Sequence, residues 1–168
     1  MRLRRVSEHI WQVHLWRLTH GHPDHAGGAP FLVRELRVPV LAHLREMPFL
    51  QGERKYPRVP HLLQPGHRYL AEPLPASPEG DLLELGGLKP YAAHGHTPGH
   101  VVYFHEHDRV LLAGDLFKAK AGKLQQLGHL YSVDRDEATR SERVLRELRP
   151  VRVETSHGGG VDDPLLGF

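Results

Sequence analysis

Apolar residues recur along the chain with two periods, and the segments in which each period holds predict the elements. Residues 9–18 (HIWQVHLWRL) alternate roughly and are rich in β-formers, which predicts a strand. It runs directly into Thr19-His20-Gly21-His22-Pro23-Asp24-His25. The following AGGAPFLVREL predicts a helix starting near Asp24, with Pro30 either in its first turns or breaking it. Residues 38–42 (VPVLA) predict a short buried strand. Residues 45–79 are proline-rich and lack sustained periodicity, so they predict a long surface excursion of the kind that often carries function.

The second half is more regular. Residues 81–85 and 88–93 predict a hairpin around Gly86-Gly87, and 101–104 with 109–113 a second around Glu106-His107-Asp108. Residues 134–148 (DRDEATRSERVLREL) predict a helix. Ser132 or Asp134 caps it, acids fill its first turn, and Val144, Leu145 and Leu148 form its apolar stripe. Pro150 ends it, and 151–155 (VRVET) predict a last strand. Strands flank helices in both halves, so the class is mixed α and β.

Composition narrows the picture. At 168 residues the length fits one domain, 1–168, that buries roughly two-thirds of its unfolded surface. No apolar run approaches the ~20 residues of a membrane helix, and no signal-peptide core is present, so the expected compartment is the cytoplasm. The absence of cysteine excludes disulfides, thiolate ligands and cysteine nucleophiles. The net charge of +2 comes from mixed charges without a basic stripe, so nucleic acid is not an expected partner. The chain has no Asn, 14 prolines, and 17 Arg against 5 Lys. Heat adaptation and a GC-rich genome both give that bias.

Histidine is the anomaly, at 15 of 168 residues. His20, His22, Asp24 and His25 place four metal-ligand types within six residues, in a loop that follows a predicted strand. Neutral imidazoles and a carboxylate suit zinc, iron or manganese. One ion cannot easily accept all four from so short a loop. Two adjacent ions can, with His20 and His22 on one and Asp24 and His25 on the other. Further ligand types follow other predicted strands: His96 in Gly95-His96-Thr97-Pro98-Gly99, Asp115 after Gly114, and His157 before Gly158. Each sits beside a glycine, where backbone can approach an ion closely.

THGHPDHAGG, GHTPGH, LLAGD and SHGG, in this order over residues 19–158, resemble the successive signatures of the metallo-β-lactamase superfamily. The resemblance implies an α+β fold, the αββα sandwich, with the site at the edge between its sheets. It implies one metal held by His20, His22 and His96, a second held by Asp24, His25 and His157, and Asp115 bridging. It further implies a dinuclear hydrolase, most simply a zinc enzyme with iron or manganese as alternatives. The nucleophile would be a metal-bridging hydroxide that Asp24 orients, and the substrate a small ester, thioester or lactone.

Asp115 stands where the cysteine-liganded zinc β-lactamases carry Cys, so the pattern is closer to glyoxalase II and the lactonases. Eleven residues follow His157, too few for the glutathione-binding region of glyoxalase II. AHLREMPFLQGERKYP resembles a generic group of bacterial hydrolases of the family. Nineteen residues precede His20, where VSEHIWQVHL resembles the family's first strand and RLTHGHPDH the end of a much later one. A shortened N-terminal sheet is therefore expected, with exposed edges and apolar surface that a homodimer would cover. Two alternatives stand beside hydrolysis: iron-dependent persulfide or oxygen chemistry, and a truncated relative that binds metal without turnover. The GHTPGH pattern makes His100 either a support of the site or a core histidine. His43 is a candidate for the pocket mouth and His94 for flanking sequence. His129, Tyr131 and Lys123, after Asp115, are candidates for substrate contact.

Overall fold

A computed structural model of the chain describes residues 3–5, 11–13, 19–37, 39–65, 71–128 and 131–167. Its centre is a five-stranded mixed sheet. Strands β5 (Lys89–Ala92), β6 (Val101–His105) and β7 (Val110–Gly114) are antiparallel neighbours, and β10 (Arg152–Thr155) runs parallel to β7. β11 (Gly160–Asp162) closes that edge in antiparallel register, so the order across the sheet is β11-β10-β7-β6-β5.

Period-two alternation decides which side chains face which layer. Val102 and Phe104 of β6 join Leu111, Ala113, Val153, Val144 and Leu145 in one buried cluster. Val101 and Tyr103 face the other way and line a small cavity with Thr19, His20, Leu41, Ala42 and Leu50. That second side belongs to the N-terminal half, where Ala26, Ala29, Val40, Ala42, Leu50 and Ala71 form a smaller core. The sheet is thus covered on both faces.

The first cluster is closed by α4 (Arg135–Ser141) and α5 (Arg143–Leu148). The sequence predicts one helix over 134–148; the structure breaks it at Glu142. Asp134 is the cap, its carboxylate accepting from the Glu137 amide at 2.9 Å. A ribbon that the periodicity does not predict, β8 (Phe117–Lys120) with β9 (Lys123–Gln126), adds Phe117 and Leu124 to the same core.

The N-terminal half departs further from expectation. The strand expected over 9–18 is described only at β2 (Trp11–Val13), paired with β1 (Leu3–Arg5); the rest lies outside the described residues. The helix expected near Asp24 is two, α1 (Pro23–Ala26) and α2 (Ala29–Leu36), with Pro30 in the first turn of the second, where its missing N–H costs nothing. The strand at 38–42 contracts to β3 (Leu41–Ala42), which pairs with β4 (Glu72–Pro73) from the far end of the excursion. That excursion also holds α3 (Met47–Leu50) and a 3₁₀ turn, His61–Leu63. The expected 81–85 strand reduces to isolated bridges, Ala76 to Leu82 and Leu85 to Leu88, and β5 takes β6 as its strand partner. The 101–113 hairpin forms as expected. Among the described residues, no helix is long and apolar enough to cross a membrane.

Leu145 is fully buried between α5 and the sheet. Leu145→Ala is expected to cost about 2–5 kcal/mol through lost contacts and the cavity left behind. Urea unfolding of the purified variant measures it. Val151→Ala at a half-exposed position is the control and should stay within about 0.5 kcal/mol.

Candidate metal centre

Topology brings the ligand-bearing segments to one end of the sheet. β7 and β10 are parallel, so Asp115 and His157 both lie just beyond carboxyl ends, where open α/β sheets place their sites. The β5–β6 connection, which carries His96, lies at the same end, because β5 finishes at Ala92 opposite Val101, where β6 begins. Val101 N donates to Thr19 O at 3.2 Å, which seats the His20–His25 loop beside it. Ser156 N donates to Gly114 O at 3.1 Å, and Ala119 N to His157 O at 2.8 Å.

Two groups of side chains form there. His20, His22, His96 and Asp115 are all buried. His20 Nε2 lies 3.0 Å from His22 Nδ1, and His96 Nε2 lies 3.1 Å from the first and 3.0 Å from the second. In the tautomer with His20 Nδ1–H donating to Thr19 Oγ1 (3.0 Å), the lone pair of Nε2 faces inward. A proton can serve only one of these three approaches at a time, whereas a cation among the three lone pairs satisfies all of them. Ligands at about 2.0–2.1 Å in a tetrahedron stand about 3.3–3.4 Å apart, close to the observed spacing. The donor set therefore fits a metal ion.

The second group is Asp24, His25 and His157, of which only His25 is buried. Asp24 Oδ2 lies 3.5 Å from His25 Nε2 and 3.4 Å from His157 Nε2. Asp115 joins the groups. Its Oδ2 lies 3.3 Å from both His96 Nε2 and His157 Nε2, and its Oδ1 lies 3.3 Å from His25 Nε2. Asp24 and His157 are about half exposed, at 51% and 49% of their side chains, so the centre opens to solvent on that side.

The electrostatics divide along the same line. Burial, reinforced by neighbouring imidazoles, holds His20 and His96 well below the usual histidine range and His22 at about 4. Burial opposes charge on His25 too, yet the Asp115 and Asp24 carboxylates outweigh it and raise the ring to about 9. The same carboxylates raise His157 to about 10. Those two rings in turn hold both aspartates well below the carboxylate range, against the burial of Asp115.

The structure settles the local place of the remaining candidates. His100 is buried beneath the site, with Nδ1–H donating to Ala93 O at 3.0 Å and Nε2 accepting from the Asp115 amide at 3.1 Å. Burial pushes its pKa to about 3, so the ring is neutral and its tautomer fixed. His43 and His94 stack edge to face at 4.5 Å, outside both ligand groups. A pocket beside His96 and Asp115 is lined by Gln126, Leu127, Ser132 and Arg135; Tyr131 and Lys123 are not among its lining residues, and His129 lies outside the described residues.

The flanking glycines serve protein packing: a Cβ on Gly114 (φ 54°) would stand 2.5 Å from Thr19 Oγ1, where the ligand loop crosses the end of β7. Sequence reasoning missed Glu46, a buried carboxylate with four donors from the ligand loops and Tyr56. Its signal was its place, with Tyr56, in AHLREMPFLQGERKYP, a segment that points to no role for either residue.

Fold and site together define an α+β metalloprotein with its ligands gathered at one sheet end. The sequence matches the metallo-β-lactamase superfamily over residues 1–158, and the chain belongs to that family. It is 38% identical over 141 residues to a probable metallo-hydrolase, YybB, of Bacillus subtilis, covering 84% of this chain and 62% of that protein. A hydroxyacylglutathione hydrolase of Salmonella gallinarum is 32% identical over 125 residues, covering 73% of this chain and 41% of the enzyme. The chain therefore spans less than two-thirds of the length of these relatives. Among solved structures, TTHA1623 in a di-iron-bound form superposes with a TM-score of 0.65 at 28% identity, covering 86% of this chain and 69% of that one. The metallo-β-lactamase DIM-1, at 20% identity and a TM-score of 0.63, shares the fold, covering 86% of this chain and 60% of that one.

At pH 7 the metal-free His25 and His157 carry protons, because their pKa values of about 9 and about 10 lie above it, while His20, His22 and His96 do not. Ligation requires neutral rings. Filling the centre with zinc should therefore release about two protons from the rings of the second group, beside any that metal-bound water gives up. Calorimetric titration in buffers of different ionisation enthalpy counts them; His157→Ala should release about one fewer.

Proposed function

We propose that the protein is a dinuclear metal-dependent hydrolase acting on a small ester, thioester or lactone. The observation that carries this reading is the pairing of a buried three-histidine group with a half-exposed Asp-His-His group through one aspartate, Asp115. His20, His22 and His96 would hold one ion, and Asp24, His25 and His157 the other, with Asp115 facing both. When bound, two divalent ions act as Lewis acids that polarise a substrate carbonyl and generate a nucleophile from water near neutral pH.

The chain's own groups supply the rest. Burial keeps the first three rings neutral and ready to ligate without losing protons. The opening beside Asp24 and His157 would admit the substrate on that side, and Asp24, half-exposed there, would orient an attacking water. The pocket lined by Gln126, Ser132 and Arg135 offers polar contacts beside His96 and Asp115. The relative whose name states hydrolysis of a hydroxyacyl derivative of glutathione supports an acyl substrate. Zinc suits the nitrogen-rich donor set.

A second reading keeps the same ligands with iron, for persulfide or oxygen chemistry. All-His/Asp donors accept iron, and TTHA1623 holds a di-iron form on the same fold. Metal analysis of protein purified without chelator separates the readings. Near two zinc per chain favours hydrolysis, and iron with oxygen uptake on a persulfide favours the second.

Zinc-loaded protein is expected to hydrolyse at least one member of a panel of p-nitrophenyl esters, acyl thioesters and acyl lactones. Asp115→Ala should lower kcat/KM at least about 100-fold, since it removes the one group shared by both ions. Equal rates for that variant and the wild type would show that the activity arises elsewhere.

A further inference from the structure

Glu46 stands at the start of α3, outside every ligand-bearing segment, and is 1% exposed. Its carboxylate accepts four hydrogen bonds. Oε1 takes the Gly21 amide at 2.8 Å and the Tyr56 hydroxyl, and Oε2 takes the Thr97 hydroxyl at 2.9 Å and the Gly99 amide at 2.7 Å. Gly21 lies between His20 and His22, and Thr97 follows His96. One oxygen therefore holds the loop that carries two histidines of the buried group, and the other oxygen holds the loop that carries the third. None of the four bonds falls on α1, which carries Asp24 and His25, or on the segments of Asp115 and His157.

The surroundings are shaped to this contact. A Cβ on Gly99 would stand 2.4 Å from Glu46 N and 2.5 Å from Glu46 Cβ. A Cβ on Gly21 would stand 2.4 Å from the Tyr56 hydroxyl. Side chains at either place would force the loops away from the carboxylate. Tyr56 is itself held, stacked on Phe49 at 4.5 Å, and its ring meets that of His22 edge-on at 5.3 Å. A carboxylate shielded from solvent, with four converging donors, fixes the distance between the two loops. That distance governs how closely His96 approaches His20 and His22, at 3.1 and 3.0 Å.

We infer that Glu46 is a positioning residue for one metal only: it clamps the His20–His22 loop to the His96 loop and so preorganises the buried three-histidine group, leaving the Asp24–His25–His157 group to assemble independently. The inference rests on the reading that the centre holds two ions. A glutamine at this position is near in shape but cannot replace the acid. Whichever way its amide is turned, its NH₂ faces one backbone amide, Gly21 or Gly99, that can only donate, although the hydroxyl beside it can turn to accept.

The test is cobalt(II) titration of the intact metal-free chain, followed by visible absorption and calorimetry. His96→Ala and His157→Ala identify which binding step belongs to which group. Glu46→Gln is expected to weaken the His96-dependent step about 10–100-fold, the usual range for a residue that orients ligands, with the His157-dependent step within about threefold of wild type. Its cobalt spectrum should change in the bands that His96→Ala removes. Tyr56→Phe and Thr97→Val, which each delete one donor, should weaken the same step by less. If Glu46→Gln does not fold, these two variants carry the test on the same criterion. Equal weakening of both steps means a general structural role and overturns the inference, as does unchanged binding in a folded Glu46→Gln. A wild type that takes up no cobalt overturns the two-metal reading itself; uptake of two ions by both proteins with equal affinities overturns only the role of Glu46.

Discussion

Three neutral imidazoles with nitrogens 3.0–3.1 Å apart, beside a buried aspartate, form an arrangement that opposes its own assembly. Water has been removed from all four groups, and no single proton can satisfy the three nitrogens at once. Two of the histidines retain a buried ring nitrogen, His22 Nε2 and His96 Nδ1, that finds no hydrogen-bond partner among the described residues. Unpaired buried polar atoms of this kind cost free energy that the rest of the chain has to offset. The fold is best understood as the scaffold that holds these groups against their tendency to separate and rehydrate.

That scaffold works from two sides of one sheet. On one face, Val102, Phe104, Leu111 and Val153 pack against Val144 and Leu145 and make the strand ends rigid. On the other, the N-terminal half lays the His20–His25 loop across the start of β6 and the end of β7. Short backbone bonds then register the ligand loops on the strands: Thr19 O to Val101 N, and Gly114 O to Ser156 N. Asp115 receives separate support, since its amide is held by a neutral His100 that is itself pinned to Ala93. The two metal groups thus differ in how they are built. The first is enclosed and cross-tied through Glu46. The second sits at the rim, ordered chiefly by charge between two raised imidazoles and two carboxylates. In the function proposed above, the first group would hold its ion firmly and the second would face the substrate.

Sequence and structure diverge where contacts between distant segments decide the local form. Asp134 is legible as a helix cap because the capping bond lies within four residues. The break at Glu142 is not, because no glycine or proline marks it, and the stripe Val144, Leu145, Leu148 lies wholly on its C-terminal side. The β8–β9 ribbon is hidden because its lysine- and glutamine-rich outer face masks the alternation of Phe117, Ala119 and Leu124. The pairing of β3 with β4 joins positions some thirty residues apart across a proline-rich stretch that carries no period. In sequence, the glycines beside the ligands suggest backbone access to an ion. In the structure they permit protein segments to cross, as Gly114 does beneath Thr19.

The sequence alone determined the family, the mixed α and β class and the ligand types, because ligand chemistry depends on side-chain identity and His20-x-His22-x-Asp24-His25 is dense enough to stand out. It also showed that the chain offers no cysteine to the site. Tertiary structure decided the rest. It separated a buried group from an exposed one, placed Asp115 between them, gave His100 a neutral tautomer, and recruited Glu46 from the start of α3. Those properties follow from burial and from distances between segments far apart in the chain. No local pattern encodes them, since the same histidine is raised or lowered in pKa according to whether a carboxylate or another imidazole faces it.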